Sequence, residues 1–185
     1  SEVEDLIRRL EELLDRIRRD NERIIKELEE LLRELEETNK RLIERIRKLL
    51  EDLRDTVRKL SDKDTLRKIL EEIRRTIDKL LKEIHDTNKR IKDEIERLLR
   101  EIHRDNERIK DEIRRLLEDI ARRITDEKLM REAKEAVDRI KKRLDEINKR
   151  TEDVARRIRK RLDEIDERTK EEAKRIKEEL DKEEK

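Results

Sequence analysis

The two histidines, His85 and His103, are the side chains of this chain best suited to chemistry, because imidazole binds metals and transfers protons near neutral pH. They lie 18 residues apart, which is about 27 Å along an α-helix and too far for one coordination sphere. The chain has no cysteine that could add thiolate ligands. Paired carboxylates such as Glu11 and Glu12 lie on a charged helix face without a pocket. The sequence therefore predicts no metal site, no cofactor and no enzymatic activity.

Composition restricts the partners of the chain. Of its 185 residues, 60% are charged and 31% are hydrophobic, and Gly, Pro, Phe, Tyr and Trp are absent. The net charge is +1, which gives no electrostatic basis for binding nucleic acid or an anionic membrane. No apolar run approaches the roughly 18 residues of a membrane span, and no targeting signal is visible. We expect a soluble recombinant protein that requires no partner, and its localisation stays open.

Apolar residues recur with a period of 18 residues, which is five helical turns at about 3.6 residues each. In each of the blocks 3–20, 21–38 and 39–56 six positions are apolar, and in the first block they are Leu6, Ile7, Leu10, Leu13, Leu14 and Ile17. At about 100° per residue they cover an arc of about 120° on one helix face. A repeat of whole turns keeps this face straight, so the pattern predicts untwisted helices.

The phase of the repeat breaks twice, near residues 61–65 and 125–127, where Ser, Thr and Asp suit helix N-caps. The breaks predict helices over about 2–60, 64–124 and 127–183. Short turns make consecutive helices antiparallel. The prediction is an all-α fold, a straight antiparallel three-helix bundle with an up-down-up path, forming one elongated domain over residues 1–185. Since the turns lack glycine, we also expect a non-glycine residue in the left-handed conformation.

Asparagine recurs on one phase of the same repeat. In antiparallel helices the numbers of facing residues add to a constant, and the polar residues satisfy this condition at two levels. The first predicted polar layer contains Asn21, Asn106, His103, Asn148 and Thr151, with Asp20 and Asp105 at its edge. The second contains Asn39, Asn88, His85, Asp166 and Thr169, with Thr38 and Thr87 nearby. Such layers persist only if they are hydrogen-bonded internally, and slipped helices would place asparagine against leucine.

Two interpretations of the histidines follow from these layers. Each histidine is either a buried neutral member of its layer, hydrogen-bonded to threonine, or a partly exposed residue at the layer boundary. Only a buried neutral histidine would make the bundle weaken in acid, because its protonation would place a charge in the core. Met130, at the start of the third apolar stripe, is expected to fill the core.

The whole chain resembles de novo designed helical bundles whose cores contain buried hydrogen-bond networks. The resemblance rests on the 18-residue repeats, the aromatic-free Leu/Ile stripes, the polar layers, and a surface of mixed Glu, Lys, Arg and Asp. It implies a designed structural scaffold without natural biochemical activity, whose Asn, His, Thr and Asp layers specify helix register.

An alternative function is a self-associating interaction module. The apolar stripe of the first helix is wide, and it includes the pairs Leu13-Leu14, Ile24-Ile25, Leu31-Leu32, Leu42-Ile43 and Leu49-Leu50. An uncovered part of this stripe would form a homo-oligomer interface, with a possible pH response through His85 and His103. The third helix has the thinnest stripe, so a switch that displaces this helix is the other form of this alternative.

Overall fold

The computed structural model describes residues 2–184, which form three long α-helices. Helix α1 spans Glu2–Lys59, α2 spans Lys63–Arg123 and α3 spans Glu127–Glu184. Each bound lies within one residue of the position that the phase breaks indicate. The absence of glycine and proline removes the usual helix breakers, and Leu, Ile, Glu, Lys and Arg favour helix. None of the three described helices carries an apolar stretch sufficient to span a bilayer.

Charges at the helix ends complement the helix dipole. The first turn of α1 contains Glu2, Glu4 and Asp5, and its last turn contains Arg58 and Lys59. Carboxylates near an N-terminus and cations near a C-terminus each stabilise a helix by about 0.3–1 kcal/mol. The charged residues at the helix ends therefore favour the same helix bounds as the apolar stripe does.

Aspartates cap the two internal helix starts. Oδ1 of Asp62 accepts a hydrogen bond from the backbone N–H of Asp64 (3.2 Å), and its Oδ2 accepts one from Oγ1 of Thr65 (2.7 Å). At the start of α3, Oδ1 of Asp126 accepts the backbone N–H of Lys128 (3.2 Å). Both side chains thus satisfy helix N–H groups that have no partner within the helix.

The expected left-handed residue in the turns is absent, so that prediction is wrong. No residue of the described range has a positive φ angle. The end of α1 shows why none is needed: the N–H of Leu60 still donates to the carbonyl of Thr56 (3.1 Å), and the cap of α2 begins two residues later at Asp62. Chain reversal is therefore completed with negative φ angles and an aspartate cap.

Contacts group the chain into two compact units, each made from segments of all three helices. Unit 1 comprises Ser1–Glu29 and Ile95–Ile158. Its Leu and Ile side chains form one apolar cluster, whose buried members are Val3, Leu10, Leu13, Leu14, Ile17, Ile109, Ile113, Leu116, Ile120, Ala133 and Ile140. Ion pairs Arg123–Glu2 (3.0 Å) and Arg9–Glu112 (3.7 Å) show that α1 and α2 run antiparallel within this unit.

Unit 2 comprises Glu30–Glu94 and Arg159–Lys185. Its apolar cluster has as buried members Leu42, Ile46, Leu50, Leu53, Ile77, Leu80, Ile84, Ile176 and Leu180. Residue numbers rise together along the ion pairs Arg47–Glu172 and Arg54–Glu179, so α1 and α3 are parallel within this unit. The single elongated domain that the sequence suggests stays a prediction.

Apolar side chains are covered almost everywhere in the described chain. In the adjacent apolar pairs of α1 from Leu13-Leu14 to Leu49-Leu50 at least one member is buried and the other is at least half-buried, while Leu6 and Ile7 are both half-buried. Met130, by contrast, is 52% exposed, so its prediction as core filler is wrong. It lies in the first turn of α3.

Candidate functional site: the buried asparagine and threonine side chains

In unit 1 the first predicted polar layer contains a buried hydrogen bond between α1 and α3. Nδ2 of Asn21 donates to Oγ1 of Thr151 over 2.9 Å. Oγ1 of Thr151 in turn donates to the backbone carbonyl of Ile147 over 2.8 Å. Only 4% of Asn21 and 7% of Thr151 are exposed. The threonine proton is used within its own helix, which leaves its oxygen as an acceptor for the asparagine.

Unit 2 repeats this arrangement 18 residues later. Nδ2 of Asn39 donates to Oγ1 of Thr169 over 3.0 Å, and Oγ1 of Thr169 donates to the carbonyl of Ile165 over 2.8 Å. Both side chains are buried, as in unit 1. The same two residue types therefore form the same bond at two repeat-equivalent places, and each bond lies within one unit.

The remaining asparagines of the predicted layers are less well satisfied. Asn106 is buried, whereas Asn88 and Asn148 are half-buried. The side-chain oxygens of all five asparagines are buried without a hydrogen-bond partner among the described residues. A buried polar atom in this state costs about 1–3 kcal/mol relative to a satisfied one. The layers therefore do not form the fully connected networks that the sequence suggests, and stability alone does not explain them.

Both histidines lie outside the buried part of the layers. His85 and His103 are exposed, so the interpretation as buried histidines bonded to threonine is wrong, and the boundary interpretation describes their position. Each histidine follows the last apolar position of its 18-residue block, which places it about 40° beyond the edge of the apolar arc of α2. The hydroxyls of Thr151 and Thr169 are meanwhile occupied by asparagine and by backbone carbonyls.

The aspartates near the layers form ion pairs on their own helices. Asp166 pairs with Lys170 (3.3 Å) and Asp105 pairs with Arg108 (3.8 Å). In unit 2 a small cavity of about 80 Å³ is lined by His85, Asn88, Asp166 and Thr169, together with apolar neighbours. Within residues 2–184 no three His, Cys, Asp or Glu side chains come close enough to hold a metal ion. The layer residues thus offer buried hydrogen bonds and ion pairs near the surface.

A groove between α1 and α3 runs beside the buried bond in each unit. The groove of unit 1 has a volume of about 540 Å³ and exposes an edge of Asn21 and Thr151. The groove of unit 2 has a volume of about 350 Å³ and is lined by Asn39 and Thr169. Charged side chains of both signs border both grooves, which is typical of a solvated helix boundary.

Comparison with known proteins gives one informative likeness. No protein-family model matches the chain, and no curated protein matches it. Among solved structures, the chain is similar to one described as a "Computationally designed three helix bundle", with a TM-score of 0.57 and 19% sequence identity over 99% of this chain and 86% of that one. The chain has the fold of a three-helix bundle. The predicted all-α three-helix architecture is confirmed, while its straightness and its up-down-up path stay predictions.

Proposed function

We propose that the chain is a designed structural scaffold without catalytic activity, in which buried Asn–Thr pairs specify the register of the helices. The regular 18-residue repeat, the lack of a catalytic grouping and the likeness to a designed three-helix bundle support this role. The observation that carries it is the recurrence of one buried hydrogen bond, Asn21 to Thr151 in unit 1 and Asn39 to Thr169 in unit 2.

Register needs specification because the apolar stripes alone tolerate slippage. A slip of seven residues turns a helix by only about 20° relative to its stripe, so a slip of α3 that brings Leu144 to the level of Thr151 would still direct apolar side chains to most core positions. In unit 1 a slip of α3 by this length places Asn21 against Ile158 or Leu144, depending on its direction. The short turns also resist slippage, but unwinding about two turns at a helix end would permit it.

The slipped state loses both buried bonds. In unit 2 the same slip places Asn39 against Ile176 or Leu162, so one asparagine in each unit is stranded in an apolar layer. At about 1–3 kcal/mol for each stranded amide, the native register is favoured by about 2–6 kcal/mol. Buried asparagine fixes the register of coiled coils by the same physical effect, at some cost in stability.

Distance measurements on an apolar variant test this proposal. The variant replaces the four side chains together, Asn21→Leu, Thr151→Val, Asn39→Leu and Thr169→Val. Since the chain has no cysteine, spin labels can be attached at cysteines introduced at Glu34 and Lys177, which are exposed on α1 and α3 of unit 2. A slip of seven residues moves these helices by about 10.5 Å along their axes.

Pulsed electron paramagnetic resonance should then give one narrow distance in the parent and additional distances in the apolar variant. Ile46→Leu is the matched control, because it repacks a fully buried core position of unit 2 without changing polarity. It should keep the narrow distribution. One unchanged narrow distance in the apolar variant would show that the Asn–Thr pairs do not set register.

The alternative function, a self-associating module, has less support. The α1 stripe would form the interface, but none of its described large apolar side chains is mostly exposed. Among the described residues, the mostly exposed large apolar side chain is Met130, which lies on α3. A pH response would need buried histidines, and both histidines are exposed. Light scattering on size-exclusion fractions separates the two functions: a mass near 23.0 kDa at every concentration favours the scaffold, and a multiple of it favours the module.

A further inference from the structure

Helix α3 contains two nearly identical nine-residue stretches, one in each unit. Residues 143–151 read RLDEINKRT and residues 161–169 read RLDEIDERT, so they differ at only two positions. They are 18 residues apart and thus occupy the same phase of the repeat. Because their intrinsic properties are so similar, a difference in their packing reports on the helices that face them.

The two stretches are packed differently. Leu162 and Ile165 in unit 2 are only 3% and 5% exposed. Their counterparts in unit 1, Leu144 and Ile147, are half-buried. The groove beside them is also larger in unit 1, about 540 Å³ against about 350 Å³ in unit 2. The same apolar side chains therefore gain less burial in unit 1, and hydrophobic stabilisation scales with buried area.

The charges of α1 that face α3 also differ between the two units, and they too favour tighter packing in unit 2. In unit 2 Arg161 forms an ion pair with Glu36 of α1. Subtracting one repeat from both positions gives Arg143 and Arg18, and both arginines line the groove of unit 1. An attractive pair in unit 2 is thus replaced by two like charges in unit 1. Arg18 has its ion pair with Asp15 on its own helix (3.7 Å).

Other contacts of α3 show the same asymmetry. Its first buried core positions in unit 1 are Ala133 and Ala136, whereas its last ones in unit 2 are Ile176 and Leu180. Two ion pairs between helices of unit 1 join α1 to α2, namely Arg123–Glu2 and Arg9–Glu112. In unit 2, ion pairs such as Arg54–Glu179 and Arg74–Asp181 join α3 to its neighbouring helices.

We propose that residues 127–158 of α3 open locally, away from α1, before the rest of the helix does. Opening uncovers apolar and polar side chains of α1 in the groove, among them Leu14, Asn21 and Ile25. The inference concerns local stability, and it stands whether or not the Asn–Thr pairs set register.

Amide hydrogen exchange on the intact chain, measured residue by residue by NMR, tests this order of opening. Rates in residues 143–151 and 161–169 are compared after correction for intrinsic exchange, which differs little between the two sequences. One exposed ion pair changes an opening equilibrium about 1.5- to 5-fold, and the lost burial of Leu144 and Ile147 adds to this. We expect residues 143–151 to exchange at least about fivefold faster.

Charge-reversal variants identify the cause. Arg18→Glu and Arg143→Glu each place opposite charges across the groove, so each should slow exchange in residues 143–151 by about 1.5- to 5-fold. The double variant places two carboxylates there, and its rate should return towards that of the parent. Glu36→Arg is the matched control in unit 2, and it should accelerate exchange in residues 161–169 alone.

One result would overturn the proposed order of opening, and another would overturn its electrostatic cause. Equal exchange in the two stretches, or faster exchange in residues 161–169, would show that α3 does not open first in unit 1. A difference that persists unchanged in both single charge reversals would exclude the arginine pair as its cause. Because each single variant keeps every buried apolar side chain, loss of folding does not confuse the comparison.

Discussion

Replacing Thr151 by valine should destabilise the protein although valine has nearly the same shape as threonine. The hydroxyl of Thr151 accepts the only hydrogen bond that the structure shows for the side chain of Asn21, and Asn21 is 4% exposed. Without the hydroxyl of Thr151, neither Nδ2 nor Oδ1 of Asn21 has a hydrogen-bond partner in the protein. The cost of stranding such a donor is about 1–3 kcal/mol, which lowers the melting temperature by about 2–12 °C in a chain of this size.

The double variant Asn21→Leu, Thr151→Val should recover this loss. It removes the stranded amide together with its former acceptor, and replacing both partners by apolar groups is nearly neutral or stabilising. The two single variants and the double variant form a double-mutant cycle, and its coupling free energy measures the buried bond. Asn39 and Thr169 supply an independent repetition of the cycle in unit 2.

Circular dichroism at 222 nm during denaturant titration is the suitable assay, because the chain has no tryptophan or tyrosine to follow by fluorescence. Thr76→Val is the matched control. Oγ1 of Thr76 donates to the carbonyl of Glu72 (3.0 Å), as Thr151 does to Ile147, but the bond is exposed and no asparagine donates to Thr76. If Thr151→Val cost no more than Thr76→Val, the buried bond would be energetically irrelevant and the reasoning refuted.

Three further predictions follow from other parts of the structure. Hydrogen bonds from the Thr65 hydroxyl and from the Asp64 backbone N–H lower the pKa of the Asp62 carboxyl, so its capping stabilises the fold above the usual aspartate pKa and is lost as pH falls through the lowered one. Asp62→Ala should therefore lower the urea midpoint at pH 7, and equal losses at pH 7 and about pH 2 would contradict this. Leu28→Ala, at a fully buried position, should cost about 2–5 kcal/mol in urea unfolding, whereas Met130→Ala should cost less than about 0.5. His85→Asn should change the free energy of unfolding by less than about 0.5 kcal/mol, and a loss above 1 would indicate an unrecognised contact.

The sequence predicts helices well because several local signals agree. The 18-residue repeat breaks where Asp62 and Asp126 provide caps, and the absence of glycine and proline leaves no competing break. It also places Asn21 with Thr151, and Asn39 with Thr169, at common levels. These predictions rest on axial position, which is 1.5 Å per residue and accumulates little error over a regular helix.

The predictions from the sequence fail where the angular position of a residue around its helix decides whether its side chain is buried. The histidines lie at the correct level for each layer, but they fall about 40° beyond the apolar arc of α2 and are exposed. That angle can be calculated from the repeat, so the sequence contained the signal. The prediction of a left-handed turn residue failed for a different reason, because it depends on the path of only three residues between helices, where a side-chain cap replaces the glycine turn.

Differences between the two units could not be predicted from the repeat, because the repeat makes them look alike. Residues 143–151 and 161–169 have nearly the same sequence, yet Leu162 is buried and Leu144 is half-buried. The positions of α1 that face them differ in charge, as Arg18 and Glu36 do. Only the structure shows that these positions border the grooves beside α3.

The most direct test of register specification by the Asn–Thr pairs is NMR of the asparagine side-chain amides. The chain has five asparagines and no glutamine, so its side-chain amide spectrum is simple to assign. The account predicts that the Nδ2 protons of Asn21 and Asn39 exchange slowly with water and show nuclear Overhauser effects to the γ-methyls of Thr151 and Thr169. Rapid exchange, or contacts to the methyls of Leu144, Ile158, Leu162 or Ile176, would place these amides in another register and contradict it.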